Sequence, residues 1–418
     1  MATTRSFNSM LNEYLTYDLL MAELEKRNYI LENVEKDDKW RGGNLVVPFQ
    51  GASASSFAYG SLTDVTDIAE NLYVRGGVSG YKEIWGTMKW NARDLEEHGG
   101  GSGIVSEQSF LKNLPGMIED FIDNMKQVVS VNLLVGQHYM KLTADATANN
   151  GTIVVDRVER TWIGQKLIIK DSVNTFTTYV KSININTNTV IVATDRTYVT
   201  VTDFSAGGGV TVANGAKAYV DGAQTAANTF TSLRQQLLSA VNGGDATLFG
   251  QTKTLYPYLQ STNILGSDIT ASNFLDKIFD AWTRHRQLGR SGAADVVMSY
   301  KNLGTAMKLL ERQSGPYKNV EMKVNIYGWT EITITGVKGT LKFVGVQEMD
   351  DDVIYFLDWK GIKLHSNKFF RKQQTPEGLS YFTIRNTTGY VYISDVVFYG
   401  ELIVNKPSSC GVIYSISY

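Results

Sequence analysis

Residues 390–404 read YVYISDVVFYGELIV, and this long β-branched and aromatic run decides the fold. A turn follows at residues 405–409 (NKPSS), and residues 412–418 form a last apolar segment. Val, Ile and Tyr are residues that strands favour, and an unpaired edge made of them would aggregate. We therefore expect both segments to be strands that are buried against earlier parts of the chain.

The composition is that of a globular protein with more than one core. The chain has 418 residues, 43% hydrophobic and 20% charged, which predicts two or three domains and excludes a fully disordered chain. A net charge of -2 argues against a dedicated nucleic-acid-binding protein, because such a protein needs a basic surface. The single cysteine, Cys410, excludes an internal disulfide framework. We expect a buried thiol there, with an intermolecular link as the alternative.

No targeting or membrane segment is expected from the sequence. The first residues lead into polar sequence without an apolar core, unlike a secretory signal. Residues 121–139 are the longest candidate for a membrane span, but Asp123, Lys126 and His138 make them an amphipathic helix. The chain is therefore expected to stay in the cytosol until it is assembled or exported.

The N-terminal quarter predicts an arm and a ribbon. Residues 9–35 have loose helical spacing, which favours a helical arm with one face covered only by a partner. Residues 57–103 spread aromatic residues thinly among Gly, Ser, Thr and Asp, which favours a long ribbon that projects from the body. Exposed aromatic residues on such a ribbon suit contact with a neighbouring subunit. Tyr81, Trp85 and Trp90 are therefore candidate interface residues.

The middle of the chain predicts a long helix and then a strand-rich segment. Residues 106–140 carry apolar residues at three–four spacing, with Pro115 predicting a short helix before the main one. Residues 151–220 contain 12 Thr and 12 Val but one Leu and no Pro, a strand composition. Because both flanks differ from it, the segment 141–225 is expected to be an inserted β-domain.

The last half returns to helices and then to strands. Helices are predicted at 231–241, 271–287 and 302–312 around a buried strand at 295–300, and residues beyond 320 are mostly strand. Arg284 and Arg286 flank His285 near a helix end. They are candidate contacts to an acidic neighbour across an interface, with a solvated helix end as the alternative.

The patterns of enzymes and metal sites are absent from the sequence. The four His residues lie far apart, and no GK[ST] follows the glycine run 99–103 as a phosphate-binding loop requires. The acidic run 350–352 lacks the spaced ligands of a calcium loop, so a solvated acidic turn is expected, with calcium binding as the alternative. No catalytic, cofactor-binding or metal-binding residue is expected, and neither is enzymatic activity.

The order of these features is similar to that of tailed-bacteriophage major capsid proteins with the Hong Kong 97-like fold. Residues 79–95 look like the returning arm of that family's extended loop, and residues 250–259 (GQTKTLYPYL) resemble its link into the axial domain. The YGEL strand and the following turn resemble those that complete the peripheral sheet.

The resemblance implies an α+β fold in six parts. These are an N-terminal arm (1–43), an extended loop with its base (44–105), the spine helix of the peripheral domain (106–140), the inserted β-domain (141–225), an axial domain (226–320) and return strands of both domains (321–418).

The resemblance also implies a function. The chain would be a coat protein whose hexamers and pentamers form an icosahedral shell in the virion, assembled in the host cytoplasm. That shell would enclose double-stranded DNA, which it contacts non-specifically, and would need no cofactor and no membrane. Because no long coiled-coil extension is present, a separate scaffolding protein is implied, together with a portal and decoration proteins.

Three alternatives belong to other classes. An encapsulin-like nanocompartment shell shares the fold but usually lacks the inserted β-domain. A β-rich adhesin or fibre protein would explain the Thr, Val and Asn content but not the spine helix. A hydrolase on a mixed fold would need a catalytic pattern, which the sequence does not offer.

Overall fold

The computed structural model describes residues 17–50, 73–80, 82–91, 104–146, 151–171, 174–202, 204, 212–287, 295–312, 319–324, 329–336, 339–367, 369–372, 382–386 and 389–418. The chain divides into two compact units. The first lies within residues 1–126 and 231–418, and the second within residues 127–230. Helices and sheets occur together, so the fold is α+β, as the sequence predicts.

The α-helices of the described residues are α1 (Tyr17–Arg27), α2 (Tyr29–Asn33), α3 (Ile104–Leu134), α4 (Leu233–Leu237), α5 (Phe274–Gln287) and α6 (Tyr300–Arg312). The strands are β1 (Glu35–Asp37), β2 (Asn44–Gln50), β3 (Tyr73–Ser79), β4 (Lys82–Asn91), β5 (Tyr139–Lys141), β6 (Thr152–Val154), β7 (Lys166–Lys170), β8 (Thr175–Asn184), β9 (Thr189–Ala193), β10 (Lys217–Val220), β11 (Thr247–Leu248), β12 (Gln251–Thr252), β13 (Thr262–Leu265), β14 (Asp295–Ser299), β15 (Asn319–Val324), β16 (Trp329–Gly336), β17 (Gly339–Val346), β18 (Val353–Leu357), β19 (Ile362–His365), β20 (Phe370–Lys372), β21 (Phe382–Asn386), β22 (Gly389–Val404) and β23 (Gly411–Tyr414).

Strand β22 organises a six-stranded sheet in the first unit. It pairs antiparallel with β4, β19, β20 and β21, and β1 joins the sheet by pairing parallel with β19. Val396, Val397 and Phe398 at its centre are fully buried, because they are covered on both faces of the sheet. The apolar run at residues 390–404 is therefore a buried strand, as expected.

The long helix α3 belongs with this sheet in its N-terminal part. It runs for 31 residues, about 46 Å at ~1.5 Å per residue, without the break that Pro115 predicts. Ile118, Ile122 and Met125 are buried along one face. The buried Lys126 forms an ion pair at 3.6 Å with Glu348. Glu348 is also buried and lies in the turn that follows β17.

The helix ends earlier than the predicted residue 140. Val135 and Gly136 both donate their backbone N–H to the carbonyl of Val131, and Gly136 has a φ of 98°. That left-handed conformation suits glycine and commonly ends a helix. Strand β5 begins three residues later, so the sequence pattern of apolar residues continues across a change of structure.

A seven-stranded sheet forms the other half of the first unit. Its strand order is β13–β23–β18–β14–β17–β16–β15, with β13–β23 and β14–β17 parallel and the other pairs antiparallel. Helices α5 and α6 cover one face, where Phe274, Trp282 and Phe343 belong to a single apolar core. The final strand β23 therefore lies inside this sheet, between β13 and β18, whereas the YGEL strand is part of β22 in the six-stranded sheet.

The segment 17–37 is folded onto its own unit, which corrects the expectation of an arm covered only by a partner. Leu20, Leu24 and Ile30 are almost fully buried within the chain. The hydroxyl of Tyr29 donates to Asp295 of β14 at 2.7 Å, and the Tyr29 ring packs edge-to-face on Trp359. The surface that covers this segment therefore includes residues far along the chain, such as Asp295, which is 266 positions after Tyr29.

The structure also corrects the expectation of a projecting ribbon at residues 82–91. Residues 82–91 are strand β4, paired with β22 over ten consecutive residues of the central sheet. Upstream, β2 and β3 form an antiparallel hairpin whose inner face packs on Trp40, Leu248 and Ile403. Residues 57–72, 81 and 92–103 of the expected ribbon lie outside the described residues.

The second unit is a closed β-barrel. Its six strands follow the order β5–β10–β7–β8–β9–β6, all antiparallel. A bridge between Leu142 and Val155 continues β5 and β6 and joins the two outer strands, so the sheet closes on itself. The interior is filled by small and branched apolar side chains such as Val180, Val190 and Ala218. Within the described residues of this unit, closure joins the two outer strands of the sheet, and a closed sheet is protected from aggregation through strand edges.

The structure gives this unit wider boundaries, 127–230, than the predicted insertion at 141–225. The predicted insertion began at residue 141, but Tyr139 and Met140 of β5 are paired with Tyr219 and Ala218 of β10. His138 adds a contact, since its Nε2 lies 2.8 Å from the carbonyl oxygen of Arg160. Because β5 and β10 are neighbours, the two ends of the unit lie side by side.

We expect a fragment spanning 127–230 to fold alone, with a strand-dominated circular dichroism spectrum and a cooperative thermal transition. A fragment spanning 141–225 should melt at a lower temperature or not cooperatively, because it lacks most of β5 and leaves the edge of β10 unpaired. A disordered spectrum for the longer fragment, or equal stability of the two fragments, would contradict the barrel as an autonomous unit.

Candidate interaction surfaces

Strand β4 presents an exposed row of side chains that includes a tryptophan. Glu83, Trp85, Thr87 and Lys89 alternate along its outer face and are all exposed. Trp85 is 53% exposed, and its indole N–H donates to Glu83 at 3.0 Å. Exposed tryptophans are rare on monomer surfaces and common at the centre of interfaces. This row, Glu83–Trp85–Thr87–Lys89, is the outer face of β4.

The opposite face of β4 is packed tightly, which fixes the direction of Trp85. Ile84 and Met88 are buried, and Gly86 lies where helix α3 approaches most closely. A Cβ on Gly86 would come within 2.5 Å of the Phe121 ring, so only glycine permits this approach. Trp85 also lies opposite the fully buried Val397 of β22. The tryptophan is therefore held on a rigid sheet.

The side chains of the other two aromatic candidates, Tyr81 and Trp90, lie outside the described part of the structure. Tyr81 lies outside the described residues. Trp90 pairs with Tyr392 in the ladder between β4 and β22, and its side chain lies outside the described part. Their roles stay predictions.

Arg284 and Arg286 are exposed on the last turn of α5, with the buried His285 between them. The guanidinium of Arg286 lies 4.8 Å from the centre of the Trp282 ring. Arg284 lines a shallow cavity together with Asp268, Lys277 and Asp280, so acidic groups of the same chain already lie beside it. His285 anchors the helix end, since its Nδ1 is 2.9 Å from the Thr262 hydroxyl.

The acidic run 350–352 has a partner in the structure. Arg234 of α4 donates to Asp350 at 2.9 Å and to both oxygens of Asp352 at 3.1 and 2.9 Å. Two carboxylates on one planar guanidinium form a strong, oriented ion pair. This pairing replaces the expected solvated turn and uses two of the carboxylates that a calcium ion would need.

The sequence patterns did not identify a buried carboxylate that lies in the six-stranded sheet. Glu401 of β22 is 1% exposed and accepts the backbone N–H of Thr231 at 2.7 Å. Burial raises the pKa of Glu401 to about 7. His365 lies opposite it on β19, 3.3 Å from Asp37 of β1. The signal that could have found Glu401 is an acidic residue inside an otherwise apolar run.

The barrel of the second unit also exposes a few apolar side chains. Ile163 and Val199 are 64% and 80% exposed. Their loops lie close together, because the Tyr198 hydroxyl would come within 3.2 Å of a Cβ on Gly164. Tyr198 has a φ of 57°, which is unusual for a large side chain.

Neither a cluster of metal-ligand side chains nor a helix able to span a membrane is found among the described residues. In those ranges no three His, Cys, Asp or Glu side chains group as a metal site requires. No helix of the described chain is long and apolar enough to cross a bilayer. Cys410 is fully buried as expected, and burial raises its thiol pKa to about 12.

No family model matches the chain, and no curated protein matches it. Solved structures do. The cyanophage A-1(L) capsid asymmetric unit is 11% identical at a TM-score of 0.46, with 95% of this chain and 93% of that chain covered. The capsid of Myoviridae phage XM1 is 8% identical at a TM-score of 0.40, covering 93% and 91%. The holo-SrpI encapsulin of Synechococcus elongatus is 8% identical at 0.39, covering 93% and 87%. Over nearly its whole length, the chain is thus similar to two phage capsid structures and an encapsulin.

Proposed function

We propose that the chain is a major capsid protein that assembles with its own copies into hexamers and pentamers of an icosahedral shell. The strongest support is Trp85, held 53% exposed on a sheet whose other face is packed against a long helix. A monomer gains nothing from fixing a large apolar ring in water, whereas a neighbouring copy can bury it.

The architecture supports the same role. The first unit joins two sheets through the long β22 and β23 region and leaves further apolar side chains exposed, including Val46, Tyr73 and Leu255 at 62%, 66% and 69%. Shell proteins need several such surfaces, because each copy contacts more than one neighbour. Tyr81, Trp90, Arg284 and Arg286 are proposed to belong to these contacts.

The proposal includes the finer expectations drawn from the resemblance. The shell would hold double-stranded DNA in a virion assembled in the host cytoplasm, with a separate scaffolding protein, a portal and decoration proteins as partners. The net charge of -2 suits a wall that contacts DNA weakly and non-specifically. The role is structural rather than enzymatic.

An encapsulin-like shell is the second candidate, and the barrel distinguishes the two. A closed barrel of about 100 residues between the long helix and α4 is an addition to the minimal shell fold. Encapsulin-like proteins usually lack such an insertion, so its presence favours the phage capsid.

We expect the purified chain to sediment as hexamers, pentamers or larger closed particles at high concentration, with or without a scaffolding protein. The physical reason is the apolar surface that one copy cannot bury. Sedimentation velocity checks this over a concentration series. A single 46.4 kDa species at every concentration, with and without scaffold, would contradict the proposed function.

A further inference from the structure

Val241 is the most exposed of the large apolar side chains in the described part of the chain, at 95%. It lies in the middle of a short 3₁₀ turn, Ala240–Asn242. The turn is fixed by its backbone, because Asn242 and Gly244 both donate their N–H to the carbonyl of Ser239, at 3.0 and 2.9 Å. Gly243 closes the turn in the left-handed region, with a φ of 91°. The isopropyl group is therefore held in solvent on a preorganised backbone, which lowers the entropic cost of binding a partner.

A cavity lies beside the residues that directly precede this valine. Ser239 and Ala240 line the cavity, together with Leu237, Leu238 and Ala246. Its volume is about 120 Å³ and its wall is mostly apolar. An apolar cavity of roughly 150 Å³ holds a benzene molecule, so this cavity is large enough for the isopropyl group of a valine.

Several polar groups of the cavity wall are already bonded within the chain. Ser261 donates its hydroxyl to the carbonyl of Leu237. The charged Lys253 caps the end of α4, since its Nζ donates to the carbonyls of Gln235 at 2.8 Å and Leu238 at 2.9 Å. These bonds leave the wall with few groups for a polar ligand, and a polar group buried without a partner is costly. The cavity therefore favours an apolar occupant.

A protruding side chain next to a cavity is the arrangement that a two-fold contact requires. In such a contact the same patch of both copies meets itself, so one patch must carry both complementary features. Val241 directly follows Ala240 of the cavity wall. Leu255, which is 69% exposed, likewise follows Thr254 of the wall. The valine of each copy can therefore enter the cavity of the other, with Leu255 at the rim.

We propose that this patch, formed by Val241, Leu255 and the adjacent cavity, binds a second copy of the chain across a two-fold axis. An icosahedral shell contains two-fold axes, so the contact would join copies that do not share a ring of five or six. That place in a shell rests on the proposed function, whereas the pairing of two copies does not. The outer face of β4 is a separate surface, so the pairs should survive Trp85→Ala.

Cysteine cross-linking tests the contact directly. Cys410 is fully buried, so cysteines introduced at exposed positions are the ones that react. A chain with Val241→Cys is mixed with an equal amount of a chain with Ala246→Cys, and a short bis-maleimide is added. Ala246 is exposed and lines the cavity. Because each chain carries one introduced cysteine, a link between positions 241 and 246 joins two copies. Val241→Cys mixed with Lys360→Cys is the matched control, since Lys360 is exposed and lies outside the patch.

We expect peptide mass spectrometry to find the 241–246 link at least about tenfold more often than the 241–360 link, because contact raises the effective concentration of the two thiols. The same ratio should be found with Trp85→Ala. Sedimentation of Trp85→Ala should show pairs of copies at high concentration. Adding Val241→Asp should raise the dissociation constant of these pairs at least about tenfold, since it brings a carboxylate to a mostly apolar wall that already contains Asp245. Lys360→Ala should leave that constant unchanged, and circular dichroism should show both variants folded.

Three results would overturn the proposal. The first is a 241–246 link no more frequent than the 241–360 link, even where shells form. The second is an unchanged dissociation constant when Val241→Asp is added to Trp85→Ala. The third is a ladder of trimers and larger products from a Trp85→Ala chain that carries both Val241→Cys and Ala246→Cys, because only a head-to-tail contact extends beyond pairs. Cross-linked pairs without rings or shells in the otherwise unchanged chain would contradict the proposed function and support the two-fold contact.

Discussion

Replacing Trp85 with alanine should abolish shell assembly while leaving both units of the chain folded. The ring is 53% exposed, so its loss removes little packing within the monomer. At an interface a buried tryptophan contributes about 2 kcal/mol or more, and the loss recurs at every copy in the shell. Assembly yield measured by sedimentation, with circular dichroism for the fold, checks this prediction.

Matched variants sharpen the test of Trp85. Trp85→Phe should restore part of the assembly, since a smaller aromatic ring fills some of the same space. Lys360→Ala removes an exposed side chain that lies outside the outer face of β4 and outside the exposed apolar residues proposed as contacts. It should assemble normally. The double variant Trp85→Ala with Trp90→Ala should assemble no better than Trp85→Ala. A normal yield and normal shell melting temperature in the double variant would contradict the role of this strand.

Replacing Glu401 with glutamine should make the free energy of unfolding less sensitive to a rise in pH from the acid to the neutral range. Burial raises the pKa of Glu401 to about 7, above its ordinary value of 4.5. A raised folded pKa gives stability that is complete below the unfolded pKa and is lost as the pH rises through the folded pKa. The wild type should therefore lose stability relative to Glu401→Gln as the pH rises from about 4.5 to about 7.

The expected size of this effect is up to about 3 kcal/mol, from roughly 1.4 kcal/mol per unit of pKa difference. Denaturant unfolding of both proteins at several pH values measures it. His365 acts in the opposite sense, because burial lowers its pKa and its contribution is lost as the pH falls. Since His365, Asp37 and the nearby Lys82 are present in both proteins, the difference isolates Glu401. A constant difference across the pH range would contradict a raised pKa at this residue.

Much of the local structure could be predicted because it depends on short-range patterns. Strands β7 (166–170) and β9 (189–193) lie within the segment whose Thr and Val content predicts strands, because composition is a local signal. Helix α5 ends at residue 287, as predicted, and its buried face follows the three–four spacing. The long helix was predicted correctly in kind but not at its end, where Gly136 turns the chain.

The errors concern contacts between distant parts of the chain. The partner of β4 is β22, about 300 residues later, and no local pattern in residues 82–91 specifies that pairing. Tyr29 likewise contacts the distant Asp295. A segment that is anchored on its own chain was therefore predicted to be an arm covered by a partner. The barrel begins at β5 because β10 pairs there, although composition changes only after residue 141. Glu401 and Lys253 are unusual through burial alone, which is a property of the completed fold.

Negative-stain electron microscopy of the purified full chain tests the proposed function most directly, because it shows the assembly itself. We expect rings of five or six copies, or closed shells of uniform diameter, and we expect Trp85→Ala to show neither. The wild type is examined at the concentrations used for sedimentation, with and without scaffold. If it shows only single particles of monomer size, the assignment as a shell protein is contradicted.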